Sequence, residues 1–146
     1  MTPRVHGDET GSTLLLTIFY AFLSLVLILM VTSASSLYLE RKRLFTLADA
    51  AALAGAEAFD LSAVTPAGDG LSVELDSSAV DDAVETFVAA SAGGRFDDLT
   101  VERAVAADER SATVTLSSYW RPPLASLLVP DGVRLEVTAT ARSIFY

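Results

Sequence analysis

From Leu14 to Leu37 the chain reads LLLTIFYAFLSLVLILMVTSASSL, with no charged residue. No other stretch narrows the possible folds so far. A helix rises about 1.5 Å per residue and the hydrocarbon core of a bilayer is about 30 Å thick, so about 20 apolar residues cross it. Backbone amides and carbonyls find no water in lipid, so a crossing segment is helical. Leu14, Leu15, Leu16, Ile18, Phe19, Phe22, Leu25, Leu27, Leu29 and Val31 supply the lipid-facing surface. Tyr20 and Tyr38 lie toward the two ends, where amphipathic rings favour the interface. The run therefore reads as a membrane span. A cleaved signal peptide is the competing reading, and Thr32-Ser33-Ala34-Ser35-Ser36 would serve as its small-residue site. Its apolar region is about 7–15 residues long, however, and the run here exceeds that. A buried core helix of a soluble protein is the third reading.

Composition narrows the function. Hydrophobic residues make up 51% of the 146 residues, yet the net charge is −9. The apolar excess sits in the span, and the remainder reads as an acidic globular chain. A nucleic-acid binder needs clustered Lys and Arg to neutralise phosphates, so that class is excluded. The chain has no Cys, which removes disulfides, thiolate chemistry and Cys-ligated zinc. Its one histidine, His6, precedes the span and is across the membrane from the C-terminal part. A Ser-His-Asp triad or a multi-His metal site has no material here. No catalytic residue, metal ligand, cofactor or small-molecule substrate is assigned.

Two signals oppose each other on topology. Arg41-Lys42-Arg43 follows the span, against Arg4 alone before it, which places the C-terminal part in the cytoplasm by the positive-inside rule. Yet residues from Asp60 onward carry 14 acidic residues against six Arg and no Lys, and a twelve-residue tail would be the whole opposite side.

Beyond the cluster, residues 44–59 read LFTLADAAALAGAEAF, without proline. Alanine is the best helix former, so the span is expected to continue as one helix to about Asp60, a rod about 70 Å long. Leu44, Leu47, Ala51, Ala54 and Ala58 recur at three and four residues and make one stripe. Ala48, Ala52 and Gly55 make an adjacent face of small side chains, which lets another helix approach closely. These faces suit neighbouring subunits' helices or the protein's own C-terminal domain.

The expected organisation is a tail over 1–12, a span and its extension over 13–60, a linker over 61–70, and a small α+β domain over 71–146. Leu71, Val73 and Leu75 alternate with polar residues as a strand. Ser78 to Asp81 fits a capping box before a helix whose apolar face is Val80, Val84, Phe87 and Val88, ended by Gly93-Gly94. Leu99, Val101 and Val105 mark a second strand, and 106–110 a polar turn. Ala112, Val114 and Leu116 mark a third strand, antiparallel to the second. Pro122-Pro123 breaks the chain, and 124–129 suits one helical turn. Val133, Leu135, Val137, Ala139 and Ala141 face one way in a last strand. The fold class is α+β, with an N-terminal transmembrane helix followed by β-α-β-β-β, one helix covering one face of an antiparallel sheet. A core this small gains from docking of the Ala-rich rod.

Clusters of acidic residues at Asp81, Asp82 and Glu85, and at Asp97, Asp98, Asp108 and Glu109, read as solvated surface; neither fits an EF-hand. The sole Trp opens a different feature, Tyr119-Trp120-Arg121-Pro122-Pro123-Leu124, followed by Leu127 and Leu128. Trp120, Arg121, Leu124 and Leu127 could meet a partner subunit or the membrane surface, or plug the open end of the sheet.

A long N-terminal helix with an apolar half, carrying a small α+β domain, resembles pilins and pseudopilins. The closer resemblance is to the TadE/TadG-like group of Tad (Flp-type) pilus systems. It rests on Gly11-Ser12 leading into the span, on Arg41-Lys42-Arg43 with Leu47-Ala48-Asp49-Ala50-Ala51-Ala52-Leu53-Ala54, and on the closing strand Val133 to Arg142. The resemblance implies an extracytoplasmic domain, a cytoplasmic N-terminus, and a role as a minor pilin-like subunit or assembly factor packing against other pilus subunits. Type IV-like pilins are cut after a Gly and carry Glu at the fifth mature position. Taking Gly11 as that Gly puts Leu16 there, so the peptidase site is not reproduced. The expected function is non-enzymatic assembly at the membrane. The alternative is an anchored sensory or ligand-binding domain, and a membrane-bound hydrolase lacks a base and nucleophile set.

Overall fold

The computed structural model describes residues 9–58, 65–67, 70–72, 75–121 and 131–143, with side chains described for 13–58, 75–121 and 131–143. Helix α1 runs unbroken over Glu9–Ala56, 48 residues, about 70 Å. It starts ahead of the apolar run and stops one turn before the expected end at Asp60. The amides of Glu57 and Ala58 close its last turn onto Leu53 and Gly55 carbonyls at 3.1 and 3.2 Å.

The segment expected as linker and first strand folds differently. Thr65–Ala67 (β1) pairs antiparallel with Gly70–Ser72 (β2) in a separate two-stranded ribbon. β2 does not join the main sheet, so the order is β-β-α-β-β-β and that sheet has three strands. Val73 lies outside the described residues, and Leu75, two positions on, is buried. Pro66 and the glycine at 70 favour a short ribbon over a long strand.

Helix α2 spans Ser77–Ser91. Its cap is Asp76 and not Ser78: Asp76 is extended, its carboxylate accepts from the Ser78 amide at 3.4 Å, and the Ser78 hydroxyl also donates to it. Asp is among the strongest N-caps, and it begins the helix two residues earlier than the expected capping box. Asp81 and Asp82 consequently lie past the first turn, where the helix dipole acts. Val80, Val84 and Val88 are buried, and Gly93 and Gly94 follow at φ +54° and +70°.

Strands β3 (Asp97–Asp108), β4 (Ser111–Trp120) and β5 (Val133–Arg142) form an antiparallel sheet with β4 central. β3 is longer than expected, and the turn shrinks to Glu109-Arg110. The alternation from Leu99 and Val101 does not reach Val105. A register shift between Val101 and Arg103 puts Ala104 in the core instead, since an extra residue in a strand reverses the facing of every later side chain. In β5, Leu135, Val137 and Ala139 are buried as the alternation predicts, but Val133 at its end is 40% exposed. α1 and α2 share one face of the sheet. Val80, Val84 and Val88 meet Leu44, Ala48, Ala51, Ala52, Ala56, Leu116 and Val137 in one core. This is an α+β, pilin-like arrangement. Five of the sixteen buried apolar residues described belong to α1, so the small domain's core is built on the rod.

Candidate membrane anchor and its docked domain

The first half of α1 has almost no cover. Leu14, Leu15, Leu16, Ile18, Phe19, Phe22, Leu25, Leu27 and Val31 are all exposed, and Leu29 is half-buried. Among the described residues α1 is the one helix long and apolar enough to cross a membrane. Its polar side chains do not spoil it. Thr17, Thr32 and Ser35 hydroxyls donate to the carbonyls of Thr13, Ile28 and Val31, four residues back, at 2.8 to 2.9 Å. An unpaired hydroxyl in lipid costs several kcal/mol, and this local bond removes that cost.

Partial burial appears at Leu29 and Ser33, recurs at Ser36 and Leu37, and deepens along a helical stripe from Leu44 to Ala56. Of the expected packing face, Leu44, Ala48, Ala51 and Ala52 are fully buried, Gly55 is buried, and Leu47, Ala54 and Ala58 are half-buried. What covers them is the protein's own sheet and α2. Gly55 is the tightest point. A Cβ there would lie 3.0 Å from Val80 Cγ1, 3.1 Å from Val84 Cγ2 and 3.3 Å from Ala112 Cβ. Three elements meet where only a hydrogen fits.

Trp120 ends β4 at the other extremity of this contact. Its indole N–H donates to the Ser36 hydroxyl at 3.3 Å, and its ring is half-buried. Arg121 turns away from α1 and spans Asp97 and Asp98 at 3.3 and 3.2 Å. Asp98 takes φ +50°, a conformation Asp tolerates better than most residues, at the first register shift of β3. Leu124 and Leu127 lie outside the described residues.

The sheet face away from the helices is polar. Thr113 pairs with Thr140 and Thr115 with Thr138, hydroxyl to hydroxyl, at 2.9 and 3.0 Å. At its Trp120 end Glu102 accepts from the Ser117 hydroxyl at 2.5 Å and from Arg134 at 2.8 Å. The Ser117 bond first, and then Arg134, hold its carboxyl below the usual range. The sequence gives Ser36 only as part of a possible cleavage site and gives Glu102 no role, since a serine in an apolar run and a glutamate in a strand carry no local signal of these contacts. Asp81, Asp82 and Glu85 are exposed on α2. Among the described residues no three acidic or histidine side chains gather as metal ligands. An open groove between α1 and α2 is floored by Leu47, Ala50, Phe87 and Phe96 and flanked by Arg43 and Arg95.

The long helix, half bare and half docked, is the part of the chain that the comparisons match. Residues 11–58 fit the family model described as Flp pilus-assembly TadE/G-like. Over this segment the chain is similar to that family. The TadE/G-like segment begins at the start of the bare half and ends with the docked half, about a third of the chain. No curated protein and no solved structure matches. The match supports a pilus-related role, and the apolar helix fits a membrane location.

Proposed function

We propose that the protein is a membrane-anchored, non-enzymatic minor pilin-like subunit or assembly factor of a Tad/Flp-type pilus, with its N-terminus cytoplasmic and its α+β domain outside. The observation that carries this reading is that the TadE/G-like match coincides with a single helix whose first half is apolar and bare and whose second half supports a folded domain. The span holds the chain in the bilayer. The rod fixes the domain rigidly against it, and the exposed surfaces of rod and sheet meet other pilus subunits.

The reading supplies a use for each part. A lipid-facing half needs bulk and no charge, and residues 14–31 have both. A protein-facing half needs small side chains, and residues 48–56 are mostly Ala and Gly. The small-residue face is taken up by the chain's own domain, so contacts with other subunits fall to the opposite side of the rod, where Phe45 and Leu53 are exposed, and to the polar outer sheet. The test is protease accessibility of a C-terminal tag in intact and in lysed cells, with apparent mass read from the same gel. Cleavage in intact cells at full-length mass supports an anchored, outward domain. Protection until lysis means that Arg41-Lys42-Arg43 governs topology, and the pilus-subunit reading fails. A shortened mass means processing, near Gly11 or after Ser35, and the permanent-anchor part of the reading fails.

A further inference from the structure

We propose that the β4–β5 end of the sheet rests on the bilayer surface, with Trp120 seated in the lipid headgroup layer, so that the domain has a second membrane contact besides its span. The proposal rests on the membrane-anchored reading of α1.

The argument is one of levels along the helix axis. Leu14 to Ser36 covers about 33 Å at 1.5 Å per residue, against a hydrocarbon core of about 30 Å. With Leu14 at one boundary, Ser36 stands at the other. Trp120 is tied to Ser36 by its indole N–H at 3.3 Å, so β4 ends at the boundary too. The far end checks the geometry. Gly55 lies against Ala112. From Ser36 to Gly55 is about 28 Å of helix, and from Trp120 back to Ala112 about 26 Å of strand. The two lengths agree only if β4 runs down α1, antiparallel and nearly aligned, into the membrane surface. The domain therefore does not stand off on a stalk.

The chemistry at that level fits lipid. Tyr38 is 63% exposed and Val133, the β5 partner of Trp120, is 40% exposed. Trp and Tyr favour the interface because one end of the ring is apolar and the other carries a hydrogen-bonding group. Arg41, Lys42 and Arg43 are exposed and lie about 8 to 10 Å beyond Ser36. The headgroup layer is about 5 to 8 Å deep on each side, so these cations stand at the phosphate–water boundary. Apolar aromatics at the inner level and cations at the outer level match the order of a leaflet.

The test uses the protein as it is, because Trp120 is its only tryptophan. The full chain is reconstituted into phosphatidylcholine and phosphatidylglycerol vesicles. The lipid carries bromine either near the headgroup end or near the tail end of the acyl chains. Flotation with the vesicles after an alkaline wash is read on the same samples. The expected result is co-flotation, strong loss of Trp emission with shallow bromine, weak loss with deep bromine, and little loss with aqueous iodide. Co-flotation with emission quenched by iodide and not by brominated lipid overturns the proposal while the anchor stands. Strongest quenching by deep bromine overturns it as well, since Trp120 would then lie in the hydrocarbon. Failure to float, with Trp120 open to iodide, removes the anchor and the proposal together.

Discussion

The two halves of α1 are both apolar and both helical, yet they solve opposite problems. Residues 14–31 carry Leu, Ile, Phe and Met and find almost no cover in the protein. Across residues 44–56 one face, Leu44, Ala48, Ala51, Ala52, Gly55 and Ala56, is buried beneath a sheet and a second helix, while Phe45 and Leu53 on the other side stay exposed. A fluid solvent conforms to large side chains, so bulk is useful where lipid is the cover. A folded sheet does not conform, so its partner must be flat, and flatness requires small residues. On the membrane-anchored reading proposed above, side-chain size, more than hydrophobicity, separates the half that faces lipid from the half that faces protein.

The sharpest way to break this contrast is to make the same substitution in both halves. Leu44→Ala opens a cavity under the sheet and is expected to cost about 2–5 kcal/mol of domain stability, read by urea unfolding in micelles. Leu25→Ala, in the bare half, is expected to leave that transition where it was. Equal effects would show that the two halves are not distinct. A charge reverses the sensitivity. Leu25→Arg at the middle of the span is expected to cost about 2.5–3.5 kcal/mol of insertion, read as loss of the alkaline-resistant membrane fraction. Leu53→Arg, on the exposed side of the docked half, is expected to change domain stability by no more than about 0.5 kcal/mol.

Gly55 sharpens the contrast within the docked half. Gly55→Ala gains about 1 kcal/mol of helix propensity but pushes a methyl to 3.0 Å from Val80. Overpacking costs about 1–3 kcal/mol, so a net loss of about 1 kcal/mol is expected in the same unfolding assay. An increase in stability would mean that α2 does not approach so closely.

The smallest effect belongs to the polar outer face. Ser117 and Arg134 hold the Glu102 carboxyl below its ordinary range. A group whose folded pKa is depressed stabilises the fold above its unfolded pKa and loses that contribution as pH falls through the folded one. Glu102→Gln is therefore expected to flatten slightly the fall in stability on acidification below the usual carboxylate range. The alkaline side should be unchanged. Titration of the urea midpoint in both proteins reads the difference.

Much of this was legible in the sequence because it is periodic. The long apolar helix follows from run length and absence of charge, and the docked stripe from Leu44 to Ala52, the buried Val80-Val84-Val88 face and the alternation of Leu135, Val137 and Ala139 follow from spacing. What was not legible depends on contacts between distant residues. The bulge that swaps Val105 for Ala104 is set by pairing with β4. The short ribbon of β1 and β2 is a choice between partners that local propensity does not make. The Trp120–Ser36 bond joins residues 84 positions apart, and only the fold brings them together. The cap at Asp76 was legible in principle, since Asp competes with Ser for that position and here lies two residues earlier.

The central claim is that one continuous helix changes its surroundings from lipid to protein near Ser36. The chain has no cysteine of its own, so single cysteines report this directly. Variants at Leu25, Lys42, Phe45 and Ala51 in reconstituted vesicles, treated with a membrane-impermeant maleimide, give the decisive pattern. The account predicts labelling at 42 and 45 in intact vesicles. Position 51 should label only after the domain is unfolded with urea, and position 25 only after detergent removes the lipid. Labelling at 25 in intact vesicles, or at 51 in the folded protein, would contradict it.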